Sequence, residues 1–539
     1  MGELAEALAR RPAAFVEPAG RAWAALAATG WGAAARAAGR TVPAPVAPER
    51  GDRRFRDRAW HDNPWFFAVG QSYLTWARYL RELVDAAELD TPAAEKAAMA
   101  VGQFVDAAAP TNFLLTNPAA LRRAAETGGL SLVRGARNFL RDVRENGGKP
   151  SQVDRSAFRL GENLAATPGQ VVFRNDLMEL IQYAPQTETV YETPLLLSPP
   201  WINKYYIMDL APGRSFVEWA VRQGHTVFAI SYRNPDESMR GVALDDYLLH
   251  GPHTALDVIA DITGAERANI VGLCLGGTLT AMLLAYLTAG GEDRVRSATL
   301  LNTLVDFRDP GPMGCFLDRA SVEHLSRRML ERGYLDSGEM ATMFDLLRAR
   351  DLIWNYVESG WLMGEDPPAF DILSWNADGT RMPAEMHSFY LRYCYVENQL
   401  ARDEMVLAGR SLRLGRVTAD VYLLAAKEDH IAPWRSSYAG TQLFGGPVRF
   451  VLSSSGHVAG IVNPPGSGRR YWADEGADAG MPSDADSWLA GATEHEGSWW
   501  HDWTEWIASR AGERRPPPPM GSERHPPRGE APGEYVHET

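Results

Sequence analysis

Ala268-Asn269-Ile270-Val271-Gly272-Leu273-Cys274-Leu275-Gly276-Gly277-Thr278-Leu279-Thr280 decides how the rest of this chain is read. A short apolar run ends at Gly-x-Cys-x-Gly-Gly, and a helix-favouring apolar segment, Leu279 to Leu287, follows at once. Buried strand, sharp turn and helix in that order outline a nucleophile elbow. A nucleophile at such a tip sits in a strained backbone conformation, so the residues two before and two after it must be small. Gly272 and Gly276 meet that demand. The helix behind the tip aims free N–H groups and its positive dipole end at the sulfur, favouring thiolate and any oxyanion formed beside it. In a chain with 49 glycines the same pattern also suits a plain buried cysteine in a glycine-rich turn, so the surrounding sequence has to discriminate.

On either side of the elbow, strands alternate with helices. Gln170 to Asn175, Thr189 to Glu192 and Leu195 to Leu197 read as strands, the last ending abruptly at Ser198-Pro199-Pro200. A helix (Ser215 to Gln223), a strand (His225 to Ile230), a helical stretch (Leu244 to Ile262) and, past the elbow, a strand (Val295 to Leu301) follow. This alternation predicts a mostly parallel sheet covered on both faces. After Asp306-Phe307 it stops, and sheet texture returns only at Val421 to Ala425 and Val448 to Leu452. The interval holds helical segments and aromatic stretches such as Trp361 and Trp375-Asn376, and reads as an inserted lid or cap over the strand ends. The expected organisation is an Ala-rich helix and Pro-rich linker (1–50), a helical region (51–169), and an α/β catalytic domain (170–512) with its cap at about 307–416. A Pro-, Gly- and charge-rich tail (513–539) is expected to pack poorly and to dock, if anywhere, at its end.

At 539 residues, 45% apolar and 23% charged, the chain suits two globular domains or one heavily decorated domain. The net charge of −14 gives no support for general nucleic-acid binding, and any polyanionic substrate needs a local basic patch. Cys274, Cys315 and Cys394 are scattered and match neither a disulfide framework nor a metal site, which predicts a reducing cytoplasm and no metal. Glu3, Glu6 and Glu17 interrupt the Ala-rich start, so no secretory signal is expected, and no apolar run approaches the ~20 residues that span a bilayer.

A cysteine nucleophile needs a base and a group to orient it. In sheets of this kind they come in the chain order nucleophile, acid, histidine from loops at later strand ends. Asp429 lies just beyond the strand starting at Val421, and His457 just beyond the strand starting at Val448, so Cys274, Asp429 and His457 form the predicted triad. His430 competes for the base and is assigned a supporting or substrate-side place, because pairing within the dipeptide Asp429-His430 is awkward. Glu428 and Asp306 are alternative acids, more in keeping with structural hydrogen bonds. For the oxyanion hole, Leu275 offers one backbone N–H and Trp201 or Ile202 the other, since Pro199 and Pro200 have none to give. Thiolate attack on a thioester exchanges one thioester for another and keeps the acyl group activated. The constellation therefore points to acyl transfer from thioesters, with a Cys-dependent thioesterase or hydrolase as the alternative.

These residues resemble the polyhydroxyalkanoate synthases, from about residue 51 onward. The likeness rests on Pro199-Pro200-Trp201-Ile202-Asn203-Lys204-Tyr205-Tyr206, on Arg233-Asn234-Pro235 and on Gly272-Leu273-Cys274-Leu275-Gly276-Gly277. Asp429-His430-Ile431-Ala432-Pro433-Trp434 and Ser455-Gly456-His457 with Asn463-Pro464-Pro465 complete it. The resemblance implies an α/β-hydrolase fold with a helical amino-terminal region and a cap. It also implies polymerisation of (R)-3-hydroxyacyl-CoA into polyester with release of CoA, the growing chain held on Cys274. CoA thioester is then the substrate and no separate cofactor is expected. A cytoplasmic homodimer at the surface of polymer granules, with no transmembrane segment, is implied as well; a non-catalytic granule-associated protein is the remaining alternative. Lys204, Arg233 and Arg435 are the basic residues near the motif loops that could meet CoA phosphates, against their commoner use in structural ion pairs. Tyr232 and Ser374 stand where the family usually has aromatic residues, a tryptophan in the first case.

Overall fold

A computed structural model of the chain describes residues 15–49, 51–474 and 481–539, with Ala7 and Arg10. The rest of the helical reading before residue 15 lies outside the described residues. Two compact units form, one of residues 1–154 and 342–369, the other of 155–341 and 370–539.

The first unit is helical. Asn63 and Asn117 cap helices Pro64–Ala86 and Pro118–Glu126, each accepting backbone N–H groups ahead of a proline in the first turn. Val16–Ala37 packs on Pro64–Ala86, and Gln71 clasps the linker by exchanging two 3.0 Å hydrogen bonds with the Val46 backbone. Segment 342–369, expected within the cap, belongs here instead. Asn138 donates to the carbonyls of Gly360 (3.1 Å) and Glu365 (3.0 Å), and the Trp361 indole donates to Asp142 at 2.8 Å. Polar anchors of that kind carry no periodic signature, so the sequence reading merged the segment with its neighbours.

The second unit is built on an eleven-stranded sheet. Its strands are β1 (Gly169–Arg174), β2 (Met178–Tyr183), β3 (Leu195–Ser198), β4 (Val227–Tyr232), β5 (Ala268–Leu273) and β6 (Val295–Leu301). They continue with β7 (Asp420–Ala426), β8 (Val448–Ser453), β9 (Arg470–Ala473), β10 (Thr493–Glu496) and β11 (Gly529–Glu530). The spatial order is β10-β9-β8-β7-β6-β5-β3-β4-β2-β1-β11. From β4 through β3, β5, β6 and β7 to β8 every pairing is parallel, and the outer pairs are antiparallel. The parallel strands are nearly continuous apolar runs because both faces are covered. Helix Leu275–Ala289 is buried on almost every side, as its apolar sequence demands. This is the expected α/β-hydrolase fold.

The cap leaves the sheet between β6 and β7. Within this unit it contributes helices Arg319–Arg332, Asp371–Asn376 and Ala384–Phe389 and a wide π-helical turn, Tyr390–Val396.

The tail differs from expectation. Arg514–Arg515 pairs with Val190–Tyr191, Gln182 binds Pro519 and Gly521, and Gly529–Glu530 adds β11 to the sheet edge. A segment with little apolar surface of its own stays ordered because buried side chains of β2 take up its backbone groups. Among the described residues no helix is long and apolar enough to cross a membrane.

Candidate active site

At the end of β5 the Cys274 backbone turns to φ 51° and ψ −115°, a region an L-residue enters only when its neighbours over-determine it. They do. The Cys274 N–H donates to Leu301 at 2.8 Å, and its carbonyl accepts from Gly277 (3.0 Å), Thr278 (3.1 Å) and the Thr303 hydroxyl (3.4 Å). The flanking glycines are required by space: a Cβ on Gly272 would fall 2.6 Å from Gly277 Cα, and one on Gly276 2.1 Å from the Ser198 carbonyl oxygen. Cys274 is half-buried, whereas Cys315 and Cys394 are fully buried, and burial pushes the Cys394 thiol up.

Asp429 sits in the turn after β7. One carboxylate oxygen accepts the N–H groups of Ile431 (2.8 Å) and Ala432 (2.9 Å), and the other lies 2.6 Å from Nδ1 of His457. The same imidazole lies close enough to the Cys274 sulfur to feel its charge. Burial alone would keep His457 neutral, but the Asp429 carboxylate and the Cys274 sulfur outweigh it and raise the ring well above its ordinary value. Structure and sequence thus bring Cys274, Asp429 and His457 to one place, from the ends of β5, β7 and β8.

The loop carrying His457 is fixed from three directions that the sequence reading missed. Asn302, itself at φ 44°, donates its side-chain amide to the His457 carbonyl. The indoles of Trp499 and Trp500 donate to the Gly460 (2.9 Å) and Ile461 (3.0 Å) carbonyls just beyond it. Nothing in the sequence around Trp499-Trp500 marks that role. His430 is half-buried in the Asp429 turn, Glu428 is exposed, and Asp306 is held by Arg308 (2.6 Å) and Asn398 (2.8 Å).

Leu275 is the first residue of the elbow helix, where an N–H has no intrahelical partner. The turn bearing Trp201 and Ile202 closes on this helix, since the Ser198 and Pro199 carbonyls are what a Gly276 side chain would strike. The cap holds the turn from outside: the Thr380 hydroxyl donates to Trp201 at 2.5 Å and the Thr380 N–H to Ile202 at 3.1 Å.

Tyr390 and Tyr395 in the π-helical turn also went unnoticed. Tyr390 packs edge-on to Trp201 (5.8 Å) and Phe307 (5.9 Å), and Phe307 meets Tyr395 at 4.8 Å. Burial chiefly, with the Cys274 sulfur nearby, pushes both phenols up. An aromatic cluster therefore stands near enough to the sulfur for its charge to act on two of the phenols. Helical periodicity in the cap does not mark which of its many aromatic rings point there.

The three basic candidates are all engaged within the protein. Arg435 is exposed and forks onto Asp486 at 2.6 and 3.1 Å; Arg233 faces Asp236 (3.1 Å) and Glu538 (3.6 Å); Lys204 is buried against backbone carbonyls of the tail. Among the described residues no group of His, Cys, Asp and Glu is arranged to hold a metal ion.

Residues 51–220 match the family model described as the Poly-beta-hydroxybutyrate polymerase (PhaC) N-terminus, and residues 212–464 match that of the alpha/beta hydrolase fold. A poly(3-hydroxyalkanoate) polymerase of Methylorubrum extorquens is 47% identical over 91% of this chain and 81% of its own. The poly(3-hydroxyalkanoate) polymerase subunit PhaC of Cupriavidus necator is 44% identical over 90% and 83%, and poly(3-hydroxyalkanoate) polymerase 1 of Ectopseudomonas oleovorans 41% over 92% and 88%. Among solved structures, a hydrolase from Pseudomonas aeruginosa is 15% identical with a TM-score of 0.32, covering 54% of this chain and 92% of that one.

Proposed function

The chain belongs to the poly(3-hydroxyalkanoate) polymerases, and we propose that it extends a polyester held as a thioester on Cys274, drawing (R)-3-hydroxyacyl units from CoA thioesters. The observation that carries this reading is the imidazole of His457, 2.6 Å from the Asp429 carboxylate at Nδ1 and within electrostatic reach of the Cys274 sulfur.

In the first step the Cys274 thiolate attacks the thioester carbonyl. Its oxygen draws electron density toward the N–H groups of Leu275 and of Trp201 or Ile202. The carbonyl re-forms, the C–S bond to CoA breaks, and the CoA thiolate takes the proton that His457 carries. In the second step a hydroxyl of another acyl unit gives its proton to His457 and attacks the acyl carbon on Cys274. An ester forms and the cysteine sulfur leaves. Asp429 keeps the ring in the tautomer that both steps need. In this reading Tyr390, Tyr395 and Phe307 act as a roof over the sulfur, favouring a hydroxyl already bound over water as the acceptor.

Exposed Trp23, Trp31, Trp65 and Trp76 on the first unit suit contact with a polyester surface. Work at a granule surface as a homodimer in the cytoplasm belongs to the same proposal, as does the absence of any cofactor beyond the CoA substrate.

The test is CoA release from 3-hydroxyacyl-CoA together with the size of the product. Cys274→Ala should abolish release in a folded chain, and normal turnover by that variant would refute the assignment. Free hydroxy acid without oligomer would make the enzyme a thioesterase instead.

A further inference from the structure

Residues 534–539 lie against the turn that carries the proposed second oxyanion donor. Lys204 follows Ile202 by two residues and is only 3% exposed. Its ammonium donates to the carbonyl oxygens of Glu538 (2.5 Å) and Tyr535 (3.4 Å). The Glu538 carboxylate accepts the Asn234 N–H at 3.0 Å and faces Arg233, while Arg381 donates to the Thr539 carbonyl oxygen at 3.3 Å. The other end of this short segment is anchored in the sheet, where the buried Glu179 of β2 accepts the N–H groups of Glu534 (2.9 Å) and Tyr535 (3.0 Å).

The turn itself is fastened by its backbone on the cap side. Beyond the two Thr380 contacts, the Trp375 indole donates to the Lys204 carbonyl at 2.8 Å. Lys204 is therefore where the cap, the turn and the tail converge. Its charge is costly to bury: burial lowers its affinity for a proton, and Asp378 and Glu538 offset part of that. The carbonyls of 535 and 538 supply hydrogen bonds that an ammonium in this position cannot do without. If they were removed, the ammonium would move toward solvent and draw the Trp201–Lys204 backbone with it.

We propose that residues 534–539 are a positioning element of the active site, which holds the oxyanion turn in register through the ammonium of Lys204. The proposal rests on the reading of Cys274 and of Trp201 or Ile202 given above. Neither Lys204 nor the tail touches the reacting atoms; both act on where a backbone N–H points.

The experiment compares four chains: full length, a chain stopped after Gly533, Lys204→Met, and the two changes combined. kcat and KM for CoA release from 3-hydroxyacyl-CoA are measured, along with the rate at which iodoacetamide alkylates Cys274. Loss of one oxyanion donor costs about 10²-fold in kcat, so the shortened chain should fall by about that much with KM little moved. Alkylation, which needs the Cys274–His457 pair but no oxyanion hole, should persist. Methionine fills the lysine volume without a charge to satisfy, so Lys204→Met should cost only about 10-fold, and the combined chain should match Lys204→Met rather than multiply the two losses.

Unchanged kcat in either single variant, multiplied losses, or a joint fall of alkylation and turnover would each overturn the proposal. If the shortened chain fails to fold, Lys204→Met alone still decides, because unchanged kcat there removes the anchor's role. Failure of the underlying reading looks different: alkylation of Cys274 in the full chain would leave turnover intact.

Discussion

Nδ1 of His457 lies 2.6 Å from one oxygen of Asp429, while the other oxygen of the same carboxylate is held by the N–H groups of Ile431 and Ala432. One side chain thus fixes both its own loop and the ring facing the sulfur. Asp429→Asn keeps the shape but favours the wrong imidazole tautomer, so kcat should fall by about 10⁴-fold with little change in KM. Steady-state CoA release checks this, with circular dichroism to establish that the fold is kept.

The same contact has a consequence for stability against pH. His457 titrates higher in the folded chain than in the unfolded one. A group raised in this way contributes its full stabilisation below the unfolded value, about 6.5, and loses it as pH rises through the folded value. Urea midpoints of the unchanged chain and of His457→Gln should differ most near pH 6, and the gap should narrow steadily on going alkaline. A gap that widens above pH 7 would contradict the pairing.

Gly276 touches backbone rather than side chain, and backbone cannot step aside. In Gly276→Ala the new methyl would stand 2.1 Å from the Ser198 oxygen and 2.5 Å from that of Pro199. The helix and the β3 turn must separate, at a cost of about 1–3 kcal/mol. Because that turn also bears Trp201 and Ile202, kcat should fall more than thermal stability alone explains. Melting temperature and kcat measured on one preparation test this.

Tyr390 closes the roof with Trp201 and Phe307. Its truncation in Tyr390→Ala opens a route for water at a stability cost of about 3–5 kcal/mol, the range for truncating a large buried aromatic. The share of free hydroxy acid among the products should rise at least several-fold relative to polyester. Chromatography of products at equal CoA release measures that share, and an unchanged ratio would assign water exclusion to other groups.

The elbow was legible because glycine spacing reports a steric demand directly: Gly272 and Gly276 are where helix and neighbouring strand meet the tip. The parallel strands were legible from unbroken apolar runs. β2 was not, since Glu179 and Gln182 interrupt it, yet both are buried. Glu179 is matched by Arg174 at 2.8 Å and by two tail N–H groups, partners that lie five and some 350 residues away and leave no local signature. Thr189 to Glu192 does contain a strand, but it pairs with Arg514–Arg515 outside the main sheet. For the candidate site, chain order at strand ends pointed to Asp429 and His457, whereas the groups that brace them, Asn302, Trp499 and Tyr390, come from packing across the fold.

β11 joins β1 through the pairings Val171–Gly529 and Gln170–Glu530, so the first strand of the sheet receives its outer neighbour from some 360 residues further along the chain. Pairing across so much intervening chain is slow to form. On the ribosome β1 emerges well before this stretch does, and during that interval its outer edge is open and Glu179 and Lys204 lack the partners this stretch supplies. A nascent chain is therefore expected to need shielding from its neighbours, and to gain its full turnover only once β11 has paired.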